Sequence, residues 1–137
     1  MNNMTLRDTI KPKSDQLNAD DLVGTERTIQ VEHVELVNNP QQPVNIYYFG
    51  GDGRPFKPCL TVRRILIALW GDNQDVWPGR FMNLYVDPTV SYGKQKNIGG
   101  IRVNAVSHIP SAATLKLTKT RGIKQEFTIQ PIQLTQE

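Results

Sequence analysis

A mainly β fold, either a small antiparallel barrel or a curled sheet, with one short helix over about residues 61–70, is the architecture this sequence predicts. Three observations predict it. Short runs rich in β-branched and aromatic residues recur between turn signals. Only one segment, Thr61 to Trp70, has a convincing helical apolar face. Ten glycines and nine prolines interrupt 137 residues, which leaves little room for long helices.

The elements follow in order. Residues 1–24 are rich in Asn, Asp, Lys and Ser and contain only isolated Leu6, Ile10, Leu17 and Leu22. Such a stretch cannot bury enough surface to offset its ordering entropy alone, so it reads as a flexible or loosely docked N-terminal arm. Residues 25–137 form a single domain. Thr28 to Val37 is a strand in which Ile29 and Val31 alternate with polar residues before the phase shifts to Val34 and Leu36. A bulge at Glu32-His33 produces that shift and helps a sheet curl. Asn38 to Pro43 turns the chain into Val44 to Phe49, a second strand with Val44, Ile46 and Tyr48 on one face.

Gly50 to Pro58 is a loop by its Gly and Pro content. Thr61 is positioned to cap the helix, Ile65, Leu66, Leu69 and Trp70 form its apolar face, and Gly71 ends it. Arg80 to Val86 is a strand with Phe81, Asn83 and Tyr85 opposite Met82, Leu84 and Val86. After the loop Pro88 to Gly100, Ile101 to Ile109 returns as a strand with Ile101, Val103 and Ala105 on one face. Thr114 to Lys119 and Gln125 to Ile132 close the chain as a hairpin around Gly122.

Composition excludes several classes. The single Cys59 cannot form an internal disulfide, so a secreted disulfide scaffold is excluded and a reducing cytoplasm is the expected compartment. The longest nearly apolar run, Ile65 to Trp70, is far short of the roughly 20 residues of a membrane helix. The net charge of +3 is unevenly spread. Residues 1–53 carry four basic and eight acidic side chains, whereas residues 54–137 carry twelve basic and five acidic ones. Between Pro88 and Gln125 there is no carboxylate, and Lys94, Lys96, Arg102, Lys116, Lys119, Arg121 and Lys124 all lie there. Such a segment either attracts a polyanion or solubilises the surface.

Catalytic constellations are weak. His33 and His108 have no second ligand at metal spacing, and Cys59 between Pro58 and Leu60 reads as a small hydrophobe. The run Gly50-Gly51-Asp52-Gly53-Arg54 lacks the Gly-Lys-Ser or Gly-Lys-Thr of a phosphate-binding loop. Asp72, Asp75 and Asp87 fit no strong two-metal pattern, so a metal-dependent nuclease stands as the third reading. No catalytic residue, metal or cofactor is expected.

Binding offers a stronger pattern. Single-stranded nucleic acid needs cations along its phosphates and rings on which bases stack. Arg54, Phe56 and Lys57 lie together in one loop, Tyr92, Lys94 and Lys96 lie in another, and Arg102 opens a strand. These seven are the expected nucleic-acid-binding residues. Tyr47, Tyr48 and Phe49 are consecutive, so at least one ring must face away from the core. Phe56 has a second reading as a core plug, and Trp77, before Pro78-Gly79, is read as a plug in preference to a stacking platform.

The stretch Glu26 to Ile109, with its Pro-rich loop before Thr61, Trp70-Gly71-Asp72, Trp77-Pro78-Gly79-Arg80, Asn83-Leu84-Tyr85 and Gly100-Ile101-Arg102-Val103, resembles a group of small phage and prophage proteins of poorly defined function. The resemblance implies an OB-like barrel whose curved sheet and loops hold oligonucleotides. One feature departs from it. An OB barrel places its helix after three strands, and only two precede Thr61 unless the first bends and counts twice. The expected function is non-enzymatic binding of nucleic acid, single-stranded DNA above all, in replication or recombination. A protein-binding module, such as a phage inhibitor of a host enzyme or a virion component, is the alternative. A homo-oligomer or a host-protein partner remains open, and no membrane partner is expected.

Overall fold

The computed structural model describes residues 6, 16–18, 22, 24–87, 100–120 and 122–133. Its backbone forms β1 (Arg27–Leu36), β2 (Val44–Tyr48), α1 (Leu60–Trp70), a short 3-10 turn (Gln74–Val76), β3 (Phe81–Asp87), β4 (Gly100–Val106), β5 (Ala113–Thr120) and β6 (Ile123–Pro131). The six strands make one sheet in the order β2-β1-β3-β4-β6-β5. It is a curled sheet that does not close into a barrel, with β2 and β5 at its two ends. The pairing is also not wholly antiparallel. β6 runs parallel to β4 through Ala105↔Gln130 and Val106↔Pro131, because the β5–β6 hairpin returns its second strand along β4.

β1 bends as its phase shift predicts. Arg27 to Gln30 pair with β3, and Val31 to Leu36 pair with β2, with the register slipping between Val31 and His33. A long strand that serves two partners stands in for the third strand before the helix, and Phe56 adds a single antiparallel bridge to Ile46 beyond β2. Ile29, Val31, Ile46, Tyr48, Met82, Leu84, Val103, Val106 and Ile129 turn to one side and meet Val62, Ile65, Leu66 and Trp70 of α1 in the core. Burial of this continuous apolar surface is the main stabilising contribution.

Two local expectations are corrected, and the N-terminal segment is located in part. Cys59, not Thr61, stands at the cap of α1, and it makes no side-chain cap bond. In β4 the alternation breaks at Asn104: Leu84 faces Val103 and Asn83 faces Ala105, so Asn104 is an extra, bulged residue and Val106 instead of Ala105 enters the core. Such a bulge re-aims a side chain. The N-terminal stretch is not free where it is described. Leu17 and Leu22 are each only 2% exposed within the core, and the Leu17 amide donates to the Pro55 carbonyl at 2.9 Å.

The ends of the elements have clear causes. Gly71, at φ 86°, takes a conformation that L side chains resist, and its amide donates to the Ile67 carbonyl at 2.8 Å, ending α1. Gly122, at φ 78°, does the same work in the turn between β5 and β6. At the end of β4, Ser107 is fully buried: its Oγ accepts the Phe81 amide at 2.8 Å and lies 2.7 Å from His108 Nδ1, while its carbonyl accepts Trp70 Nε1 at 2.8 Å. Ser107→Ala therefore leaves the Phe81 amide without its acceptor. Urea unfolding is expected to register a loss of about 1–3 kcal/mol, and a loss within error would show the hydroxyl to be dispensable.

Candidate nucleic-acid interface

Strand register decides which side chains share the face away from the core. Thr28 is opposite Asn83, and Tyr85 is opposite Arg102, so all four lie on that face of β1, β3 and β4. The bulge in β4 delivers Asn104 to it as well, where its Nδ2 donates to Glu26 Oε1 at 3.1 Å. Asn83 Nδ2 donates to Thr28 Oγ1 at 2.9 Å. A half-buried ring thus stands among two amides and a guanidinium. Burial, and then the charge of Asp87, raise the Tyr85 phenol above its usual range, with Arg102 acting in the opposite sense. Like any tyrosine phenol it is protonated at neutral pH and can donate a hydrogen bond.

Of the four expected residues that are described, Arg54, Phe56, Lys57 and Arg102, this face holds Arg102. Its Nη1 donates to Cys59 Sγ at 2.6 Å, which ties β4 to the start of α1. Tyr92, Lys94 and Lys96 lie outside the described residues. Asp87 and Gly100 are cross-strand partners, two positions along from the Tyr85 and Arg102 pair.

The loop residues Arg54, Phe56 and Lys57 are placed differently. Phe56, expected as a stacking ring, is a core residue: it is 1% exposed and exchanges two 2.8 Å backbone hydrogen bonds with Ile46. No base can stack on a ring enclosed in this way. Arg54 Nη2 donates to the Gln16 carbonyl at 2.5 Å, holding the N-terminal segment. Lys57 Nζ donates to Asn45 Oδ1 at 2.8 Å, and Asn45 Nδ2 passes the chain on to Glu35 Oε1 at 3.1 Å. Lys57 is therefore engaged in a polar network beside β2.

Other rings complete the picture. Tyr48 is buried, Tyr47 is half-buried and Phe49 is 57% exposed, so the triplet does divide between core and surface. Tyr47 stacks on its cross-strand partner His33, with centroids 4.5 Å apart and planes 12° from parallel. Glu32 is 3.6 Å from the same imidazole. Trp77 is a buried plug, meeting Trp70 edge to face at 5.5 Å, and Arg80 lies over the Trp70 ring. Asn83, Tyr85 and Asn104 escaped the sequence reading. The position of Tyr85 opposite the apolar face of β3 was the one available signal for it.

Charge divides along the sheet. The half made by β2, β1 and β3 carries Arg27 against Glu32, Glu35 and Asp87, whereas β4, β6 and β5 carry Arg102, Lys116, Lys119 and Lys124 against Glu126. Lys116 and Glu126 form an exposed pair at 3.7 Å, a contact of small energetic weight. Among the described residues no three His, Cys, Asp or Glu side chains are grouped to hold a metal ion, and no helix is long and apolar enough to cross a membrane. No protein-family model, curated protein or solved structure matches the chain.

Proposed function

We propose that this chain is a non-enzymatic nucleic-acid-binding protein, with single-stranded DNA as its favoured ligand, serving phage replication or recombination. The observation that carries the reading is the pairing of Tyr85 with Arg102 at the strand ends where the carboxylate-free, lysine-bearing segment begins. A ring for a base, a guanidinium beside it and cations close by are what an unpaired strand needs. Arg102, Lys94 and Lys96 serve the phosphates, and Tyr85 and Tyr92 serve the bases. Arg54 and Lys57 support the loop beside β2 and lie outside this primary surface.

A fluorescence titration with a single-stranded oligonucleotide at low and moderate salt tests the reading. Tyr85→Ala, checked for folding by circular dichroism, is expected to weaken binding by about 1–3 kcal/mol, the value of one base stack. Absence of binding to single and double strands at low salt would remove the proposal. Cleavage in the presence of Mg²⁺ would point instead to a nuclease.

One observation favours a protein partner as the second reading. Leu60 and Ile67, seven residues apart on α1 and therefore on one side of it, are 50% and 47% exposed. Retention of one host protein in fixed ratio after nuclease treatment, lost in Ile67→Asp, is the outcome this alternative expects.

A further inference from the structure

Among the described residues, the outer face of β3 and β4 holds polar atoms that no neighbour satisfies. Asn83 Oδ1, Asn104 Oδ1 and Arg102 Nε are all shielded from solvent without a hydrogen-bond partner. Buried acceptors and donors in a folded protein are nearly always paired, so three orphans on one small face are a standing cost that a ligand can relieve. Their chemistry is also defined. The Glu26 carboxylate only accepts, so Asn104 must turn its Nδ2 toward it and leave its carbonyl oxygen over. Asn83 places its Nδ2 on the Thr28 hydroxyl oxygen, which leaves its carbonyl oxygen over as well. Both amides therefore offer acceptors, and Arg102, two residues from Asn104 on β4, offers a donor.

We infer that this face selects bases carrying an exocyclic amine next to a ring acceptor, that is cytosine or adenine, over thymine. The inference rests on the nucleic-acid reading above and sharpens its ligand. The amine of cytosine or adenine donates to an Asn carbonyl, and the adjacent ring nitrogen accepts from Arg102 Nε. Thymine can offer a carbonyl to Arg102 Nε and its single ring N–H to one amide, but it leaves the second amide carbonyl unmatched, whereas an exocyclic amine carries two N–H groups. Because the three atoms are covered by their own surroundings, the base reaches them as a neighbouring side chain swings aside. Tyr85, half-buried and two residues from Asn83 on the same face of β3, is placed to move and then to stack on the captured ring.

The test is fluorescence anisotropy of the whole chain with oligo(dC) and oligo(dT) of equal length, at one salt concentration and mildly alkaline pH. Both are pyrimidine strands with weak self-stacking, so their difference reports the base edge. Oligo(dC) is expected to bind about tenfold more tightly, within the range of one good base contact. In the Asn83→Ala/Asn104→Ala double variant, confirmed as folded by thermal melting, the ratio is expected to fall toward one. Equal affinities with both strands bound would overturn the inference while leaving nucleic-acid binding in place, and an unchanged ratio in the folded double variant would overturn it too. If neither oligonucleotide binds, the proposed function itself falls. The wild-type comparison needs no variant, so a double variant that fails to fold leaves the decision intact.

Discussion

Phe56→Ala is expected to lower the free energy of unfolding by about 3–5 kcal/mol, the cost of emptying a fully enclosed aromatic site. The ring is 1% exposed, its backbone bridges to Ile46, and it belongs to the same buried cluster as the apolar residues of α1. Urea unfolding of the two proteins, compared at their midpoints and slopes, measures the loss. The prediction separates two roles for the same side chain. A ring that stacks on bases would lower affinity and barely change stability, whereas a core ring lowers stability and leaves binding by the folded fraction nearly untouched. A change below about 1 kcal/mol, with weakened oligonucleotide binding, would return Phe56 to the surface.

Raising monovalent salt from about 50 to about 200 mM is expected to weaken single-strand binding about fiftyfold. Four phosphate contacts give a slope near −3 in a plot of log affinity against log salt, because each contact releases condensed counterions at roughly 0.7 per phosphate. The basic half of the sheet and the segment from Pro88 to Gln125 supply cations enough for that number. Fluorescence titrations at several salt concentrations give the slope directly. Lys94→Ala and Lys96→Ala together should reduce it by about one to one and a half. A slope near zero would mean that phosphates are not what the cations meet, and would favour the exposed Leu60 and Ile67 side of α1 as the working surface.

The residues themselves made much of this fold legible, and the reasons for the failures are physical. The phase shift from Ile29 and Val31 to Val34 announced the bulge in β1, since alternation along a strand is a local property. β2 was equally open to reading, because Val44, Ile46 and Tyr48 carry their face in their spacing. In β4 the pair Asn104-Ala105 offers no such signal: a polar residue beside a small one fits either phase, so the bulge stayed hidden. Whether a sheet closes depends on strand tilt and stagger across the whole set, which no single strand records. The parallel contact of β6 with β4 is likewise a long-range event.

The candidate site divides in the same way. Arg102 was visible as a cation at a strand start, whereas Tyr85 was not, because alternation along β3 gives two faces without saying which one meets the core. Their meeting depends on the register of β3 against β4, which is set in turn by that hidden bulge. Phe56 misled because Arg54 and Lys57 flank it like a basic loop, while its bridge to Ile46, ten residues earlier, draws the ring inward.

The position of β6 has a consequence for synthesis. β6 is the last strand in order, yet it lies inside the sheet between β4 and β5 and brings Ile129 to the core. A nascent chain that has emerged only as far as β5 therefore has its central strands made and the flank of β4 still open. Parallel pairings across a long connection form late. During that interval Ala105 and Val106 lack their β6 partners Gln130 and Pro131, and this open strand flank exposes the growing polypeptide to sticking to its own kind or to capture by a chaperone.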